Sequence, residues 1–173
     1  PAISVGQAII EKQPQSKLLF IGSTKKADKA LVGAAGFNFR TIPAGKFRRY
    51  FDWKNFIDIF LIIAGFFVAI WHIISFWPDR VFVKGGYVGM PVGLAAFLLG
   101  RPLVIHESDI KLGLANRMLL PLARIVCVSF PIEGYNLSNA YANKAVYTGL
   151  PINNIFYQQN IVNNIGIPVS DTP

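Results

Sequence analysis

The sequence predicts an α/β fold of the doubly wound kind, a parallel sheet covered by helices on both faces. Two observations carry that expectation. The strand-like runs are short, continuous and rich in Val and Ile rather than alternating with polar residues, as strands buried on both faces are. They are also separated by helix-length segments, the rhythm of β-α-β crossovers. A length of 173 residues suits one domain.

The elements follow in order. Pro1 followed by Ile3, Val5, Ile9 and Ile10 gives a first helical turn and a rough apolar face. Lys17–Gly22 is a strand that leads into a helix near Lys26–Ala35, and Phe37–Ile42 is the next strand. Residues 43–54 form a basic, aromatic loop before the long apolar segment Phe56–Trp77, which Pro78 and Asp79 close. Arg80–Lys84 is a strand, Gly85-Gly86-Tyr87 a turn and Met90–Gly100 a helix of small and apolar residues. Pro102–His106 is a strand, Gly113–Leu122 carries a helix and Arg124–Ser129 is another strand. Pro131–Asn139 is a helix or turn, and Lys144–Thr148 is the last strand. The expected domain spans 1–150, with 151–173 a linker or tail, because the chain from Ala145 on holds no Lys or Arg and many Asn.

Composition narrows the function classes. The chain is 53% hydrophobic and 15% charged, against roughly 25% charged in an average soluble chain, which excludes a disordered or acidic scaffold. Lys+Arg 17 against Asp+Glu 9 leaves +8. An oily, basic chain suits a negatively charged partner at a membrane, or nucleic acid. One cysteine, Cys127, excludes an internal disulfide and a paired-thiol redox site. His72 and His106 are the only histidines, so no metal cluster and no cofactor are expected. The missing initiator Met and the start inside a helix point to a fragment.

Phe56–Trp77 holds only Asp58 and His72 as ionisable groups. At ~1.5 Å per residue it runs about 33 Å, enough for a hydrocarbon core of roughly 30 Å. A true span would part the strands before it from those after it. A small or polar stripe also survives at Asn55, Asp58, Gly65, Ala69, His72 and Asp79. The expected arrangement is a helix that covers the sheet with one side and dips into the headgroup region with the other, a single span being the alternative. The preceding loop sets Lys46, Arg48, Arg49 and Lys54 among Phe47, Tyr50, Phe51 and Trp53, a pairing suited to an anionic lipid surface. Candidate membrane contacts are Lys46, Phe47, Arg48, Arg49, Trp53, Phe60, Phe67 and Trp71. The same loop composition could stack nucleic-acid bases, but such a binder has no use for the neighbouring apolar helix. No nucleic-acid partner is expected.

Two loops at strand ends carry candidate chemistry, since ligands of open α/β sheets bind beyond the carboxyl ends of the strands. Lys84-Gly85-Gly86-Tyr87-Val88-Gly89 opens a helix, where glycines allow close approach and free N–H groups favour phosphate oxygens. Gly85, Gly86, Tyr87 and Gly89 are the candidate diphosphate site; a plain tight turn would look the same. His106-Glu107-Ser108-Asp109 follows the next strand and could bind or deprotonate sugar hydroxyls. Alternatively His106 caps the strand and Glu107 pairs with Arg117 or Lys111.

Taken together, Gly85-Gly86-Tyr87-Val88-Gly89-Met90-Pro91, Ile105-His106-Glu107, Gly113-Leu114-Ala115-Asn116-Arg117, Val128-Ser129-Phe130-Pro131 and Thr148-Gly149-Leu150-Pro151 resemble the amino-terminal domain of the bacterial MurG-type glycosyltransferases. The resemblance runs from Pro1 to about Pro151. It implies one Rossmann-like half of a GT-B architecture, whose first strand and glycine-rich loop would precede Pro1. It also implies transfer of N-acetylglucosamine from UDP-N-acetylglucosamine to an undecaprenyl-diphosphate-linked muramyl-peptide, lipid I to lipid II of peptidoglycan synthesis. This half would bind acceptor and membrane at the cytoplasmic face as a peripheral protein, and the other half would hold most of the UDP-sugar site.

Within that frame Glu107 ranks above His106 as base for the acceptor hydroxyl, because a carboxylate needs no particular tautomer. Asp109 and Asn116 fall on the sugar or donor side. The pattern departs from the family at Ser108 and Asp109, where the family has Gln-Asn, and at Leu150 and Asn153. Without its second half the chain is expected to be silent, and a non-catalytic membrane anchor that recruits a separate catalytic subunit is the alternative reading.

Overall fold

The computed structural model describes residues 1–45 and 54–152, the side chains of 54–57 excepted. The chain divides into two compact units. One takes in Pro1–Ser16, where α1 (Ala2–Lys12) starts on Pro1, whose carbonyl accepts from the Val5 amide at 3.0 Å. Lys12 in its last turn suits the negative end of the helix dipole.

The other unit, Lys17–Gly149, holds everything else that follows. It opens with β1 (Leu19–Gly22), α2 (Lys26–Ala34) and β2 (Asn38–Thr41), and the two strands pair in parallel with Leu19 opposite Asn38. Asp28 sits in the first turn of α2, where a carboxylate suits the helix start, and accepts from Ser23 Oγ at 2.7 Å. Gly36, at φ +79°, turns the chain out of α2 toward β2.

α3 (Lys54–Phe76) covers most of the long apolar segment. It stops at Trp77, whose left-handed φ of 48° is followed by Pro78. The remaining strands are β3 (Val81–Val83), β4 (Leu103–Glu107), β5 (Ile125–Val128) and β6 (Ala145–Tyr147), in the order β3-β4-β5-β6 and all parallel. Between them lie α4 (Gly86–Leu98), α5 (Leu114–Leu119), a 3-10 turn (Ile132–Tyr135) and a single turn α6 (Asn139–Ala142).

The α/β class and the parallel, helix-covered strands are as the sequence predicts. Three details differ. Among the described residues the strands form two ladders, β1-β2 and β3-β4-β5-β6, rather than one sheet. α4 packs against both β1 and β3, so the ladders share a helix and not a hydrogen bond. α4 also begins at Gly86, not Met90, because the expected glycine turn is itself the first turn of the helix. The one-turn α6 was not expected from the sequence, being too short to show a period.

Burial explains why the strands read as they do. Leu103, Ile105, Val126 and Val128 are essentially inaccessible, and each such side chain contributes about 1.5–3 kcal/mol. Small residues on α4 let the layers close. A Cβ on Gly93 would lie 2.7 Å from Leu119 of α5, and one on Gly89 would lie 2.6 Å from Val83 of β3.

The small stripe of α3 is its protein-facing side. Gly65, Ala69 and Ile73 are buried, and the helix packs chiefly on α4 rather than directly on a strand layer. Gly65 comes so close to the backbone carbonyl of Pro43 that no Cβ fits between them. The rest of the helix faces outward: Phe60, Ile63, Phe67, Trp71 and Ile74, spaced three or four residues apart, form one exposed apolar stripe. By length and composition Asp58–Phe76 is able to cross a membrane, and 17% of it is buried in the protein.

Candidate functional site

Strands β3 to β6 run the same way, so their carboxyl ends gather at one edge, where ligands of such sheets bind. The last two residues of β4 dominate that edge. His106 is 1% exposed and Glu107 5%.

Glu107 organises the loop that follows it. One carboxylate oxygen accepts from the amides of Ser108 at 2.9 Å and Asp109 at 3.1 Å. The other accepts from the amide of Gly113 at 2.8 Å and from Asn116 Nδ2 at 3.0 Å. Four donors thus wrap residues 108–116 around one buried charge, and hydrogen bonds to a charged acceptor are the strong ones. The loop is held from outside as well: Ser129 donates to the Glu107 carbonyl at 2.9 Å, and the Tyr135 hydroxyl donates to the Asp109 carbonyl at 2.8 Å. Ser129 falls within the Val128-Ser129-Phe130-Pro131 motif but without a role read from it, and Tyr135 carries no sequence signal of its own.

Asn116, 2% exposed, is the joint between two loops. Its Nδ2 donates both to Glu107 and, at 2.9 Å, to the His106 carbonyl. With both protons used on acceptors, the amide orientation is fixed and Oδ1 must point the other way. That oxygen is buried and has no partner among the described residues. It lies against Gly85, where a Cβ would sit 3.2 Å from it.

Gly85 and Gly86 have φ of +98° and +79°, a conformation that side-chain-bearing residues resist. Gly85 caps α4 without any side-chain hydrogen bond, and a helix start presents N–H groups that lack carbonyl partners within the helix. An anion is the ligand for which that geometry is suited. Gly86 has open space around it, whereas Gly89 turns its bare side to Val83 and serves packing. Tyr87 lies half-buried in the same first turn.

His106 Nε2 lies 3.2 Å from the Gly149 carbonyl. A carbonyl only accepts, so Nε2 carries the hydrogen and Nδ1 holds a lone pair, buried and without a partner among the described residues. Burial, reinforced by the nearby Lys84 charge, lowers the His106 pKa against the opposing pull of Gly149 and Glu107. The ring is therefore neutral at neutral pH. Ser108 Oγ is a further buried atom without a partner there.

The structure therefore brings together His106, Glu107, Asn116 and Gly85 of the expected site, with Asp109 exposed on the loop. Neither Arg117 nor Lys111 pairs with Glu107; backbone amides and Asn116 take that place. The expected membrane contacts Phe60, Phe67 and Trp71 are 71%, 63% and 67% exposed on α3. Lys46, Phe47, Arg48, Arg49 and Trp53 lie outside the described residues, as does Asn153. Among the described residues no cluster of His, Cys, Asp and Glu is able to hold a metal ion.

Comparison with known proteins bears on the family and the fold. The model of the glycosyltransferase family 28 N-terminal domain matches residues 1–128. A relative from Geobacillus thermodenitrificans, named UDP-N-acetylglucosamine--N-acetylmuramyl-(pentapeptide) pyrophosphoryl-undecaprenol N-acetylglucosamine transferase, is 40% identical over 85% of this chain and 41% of its own. One of the same name from Clostridium kluyveri is 40% identical over 79% of this chain and 38% of its own. The crystal structure of Acinetobacter baumannii MurG superposes with a TM-score of 0.67 at 26% identity, covering 86% of this chain and 40% of that one. The chain thus spans about two-fifths of the length of the relatives it matches. Its strand order, its strand-end loops and these matches lead to one assignment: the chain belongs to glycosyltransferase family 28, through that family's N-terminal domain.

Proposed function

We propose that this chain is the acceptor-binding half of a membrane-associated N-acetylglucosaminyltransferase of peptidoglycan synthesis. The reaction moves N-acetylglucosamine from UDP-N-acetylglucosamine to an undecaprenyl-diphosphate-linked muramyl-peptide. The observation that carries this reading is the start of α4 at Gly85-Gly86, where the N-cap makes no side-chain hydrogen bond, beside Asn116 Oδ1, which has no partner among the described residues. The helix start suits the lipid diphosphate, and the amide oxygen suits a hydroxyl of the sugar portion. Asp109 stands on the same sugar side. The names of the relatives support the reaction class.

Transfer needs a base for the acceptor hydroxyl and stabilisation of the departing UDP. Glu107, with four donors on its carboxylate, takes the role of a positioning residue. His106 holds the available lone pair, and because that atom is buried, an acceptor hydroxyl reaches it only if the surrounding residues shift. The UDP-sugar site belongs to the other half of the full-length protein, so these 173 residues bind but do not turn over.

The exposed apolar stripe of α3, with the basic loop before it, supports peripheral attachment to anionic lipid on the cytoplasmic face. The test is a Gly86→Ala variant of the full-length enzyme. An Ala at this positive φ relaxes the turn in the free protein, and restoring it on binding at a cost of roughly 1 kcal/mol predicts a KM for the lipid acceptor raised about fivefold, with the KM for UDP-N-acetylglucosamine little changed. An unchanged acceptor KM overturns the diphosphate assignment. Vesicle binding by a full-length protein that transfers no sugar favours the recruiting-anchor alternative.

A further inference from the structure

A second cleft, away from the strand-end site, opens between α2, β2 and the last turns of α3. It measures about 560 Å³, and its walls include Lys29, Phe39, Arg40, Trp71, His72 and Ser75. Among the described residues no acidic side chain lines it.

Arg40 is held in place there. Its Nη1 donates to Ser75 Oγ and lies 3.5 Å from His72 Nδ1. His72 Nε2 in turn lies 3.1 Å from the Thr41 carbonyl, so Nε2 carries the hydrogen and Nδ1 receives the guanidinium. One edge of the guanidinium is thereby anchored to α3. Among the described residues neither Arg40 nor Lys29 meets a carboxylate, and the remaining Arg40 nitrogens have no partner. A pre-set planar fork beside a free ammonium is the donor set a phosphate takes.

The outer wall says which phosphate. Trp71 lines the cleft and also belongs to the exposed stripe Phe60-Ile63-Phe67-Trp71-Ile74. From Phe60 to Ile74 that stripe runs about 21 Å at ~1.5 Å per residue. A cationic cleft that opens onto an apolar strip matches a molecule with a phosphate at one end and hydrocarbon at the other.

We propose that this cleft is a headgroup site for an anionic glycerophospholipid, whose phosphate is held by Arg40 and Lys29 while its chains lie along α3. The site rests on the membrane attachment proposed above and adds to it a defined pocket, in place of diffuse attraction to a charged surface.

The test is co-sedimentation of the full-length protein with two kinds of vesicle, pure phosphatidylcholine and phosphatidylcholine doped with phosphatidylglycerol, at fixed salt. The wild type is expected to prefer the doped vesicles. Lys29→Gln with Arg40→Gln should cut that preference by about fivefold per cation removed while binding to neutral vesicles persists. Arg117→Gln with Arg124→Gln removes the same charge elsewhere on the surface and should cut it far less. Equal losses from the two pairs overturn the cleft in favour of diffuse electrostatics. Should the Arg40 change loosen α3, Lys29→Glu alone still decides, because that exposed side chain makes no hydrogen bond among the described residues; an unaltered preference overturns the site. Release of protein from doped vesicles by equimolar glycerol phosphate would reassign the cleft to a soluble phosphate. Failure of the wild type to bind either vesicle overturns the membrane reading itself, and the headgroup site with it.

Discussion

Glu107 trades one buried charge for the order of a whole loop. Replacing it by Gln keeps the shape but turns one acceptor oxygen into a donor that faces N–H groups. Glu107→Gln is therefore expected to cost about 1.5–3 kcal/mol in denaturant unfolding and to speed amide exchange at Ser108 and Gly113 first. His106 gives a pH signature. Its folded pKa lies below the ordinary value of 6.5, so the unfolded chain takes up the proton first as pH falls. Its contribution to stability is intact above pH 6.5 and is lost as pH drops from there to the folded pKa. A His106→Asn variant should flatten that part of a stability–pH curve, and an unaltered slope would sink the assignment. The pairing of His106 with Glu107 was legible because both follow a clear strand run. The part played by Asn116 was not: its bonds span nine and ten residues of sequence through a folded loop, and a single Asn on a short helix has no period to betray it.

At the scale of elements, α3 shows both what patterning tells and what it hides. Its length, its apolar content and its small stripe at Gly65 and Ala69 were legible. Which side the stripe served was fixed only by packing, where the missing side chains admit the Pro43 carbonyl and α4. Gly65→Ala drives a methyl into backbone that has nowhere to move, and a loss of about 1–3 kcal/mol is expected by thermal or chemical unfolding. Phe67→Asp, on the opposite side of the same helix, should leave stability within about 0.5 kcal/mol and weaken adsorption to vesicles of either composition. Together the two variants separate the packing face from the outward one. The start of α4 was displaced in the sequence reading because glycines discount a helix locally, while here they form its first turn.

Across the whole molecule, the alternation of runs revealed each strand among the described residues but not that they divide into two ladders, since pairing joins residues far apart in sequence. Position along the chain also hid the clasp at Lys144. Its ammonium donates to the carbonyls of Leu120 at 2.6 Å and Ala123 at 2.8 Å, beyond the end of α5, just ahead of β6. Burial lowers its pKa, yet the three-way fit keeps the edge strand tied to the preceding helix. Lys144→Met removes those donors and should cost about 1–3 kcal/mol, read by chemical denaturation.

The outward side of α3 also has a practical consequence. Five bulky hydrophobes in one line are exposed among the described residues, and surfaces of that kind drive self-association. Purified in plain buffer, the protein should form clusters that grow with concentration and come apart in mild detergent micelles. A chain that stayed dispersed at high concentration without surfactant would mean that the strip is screened in solution.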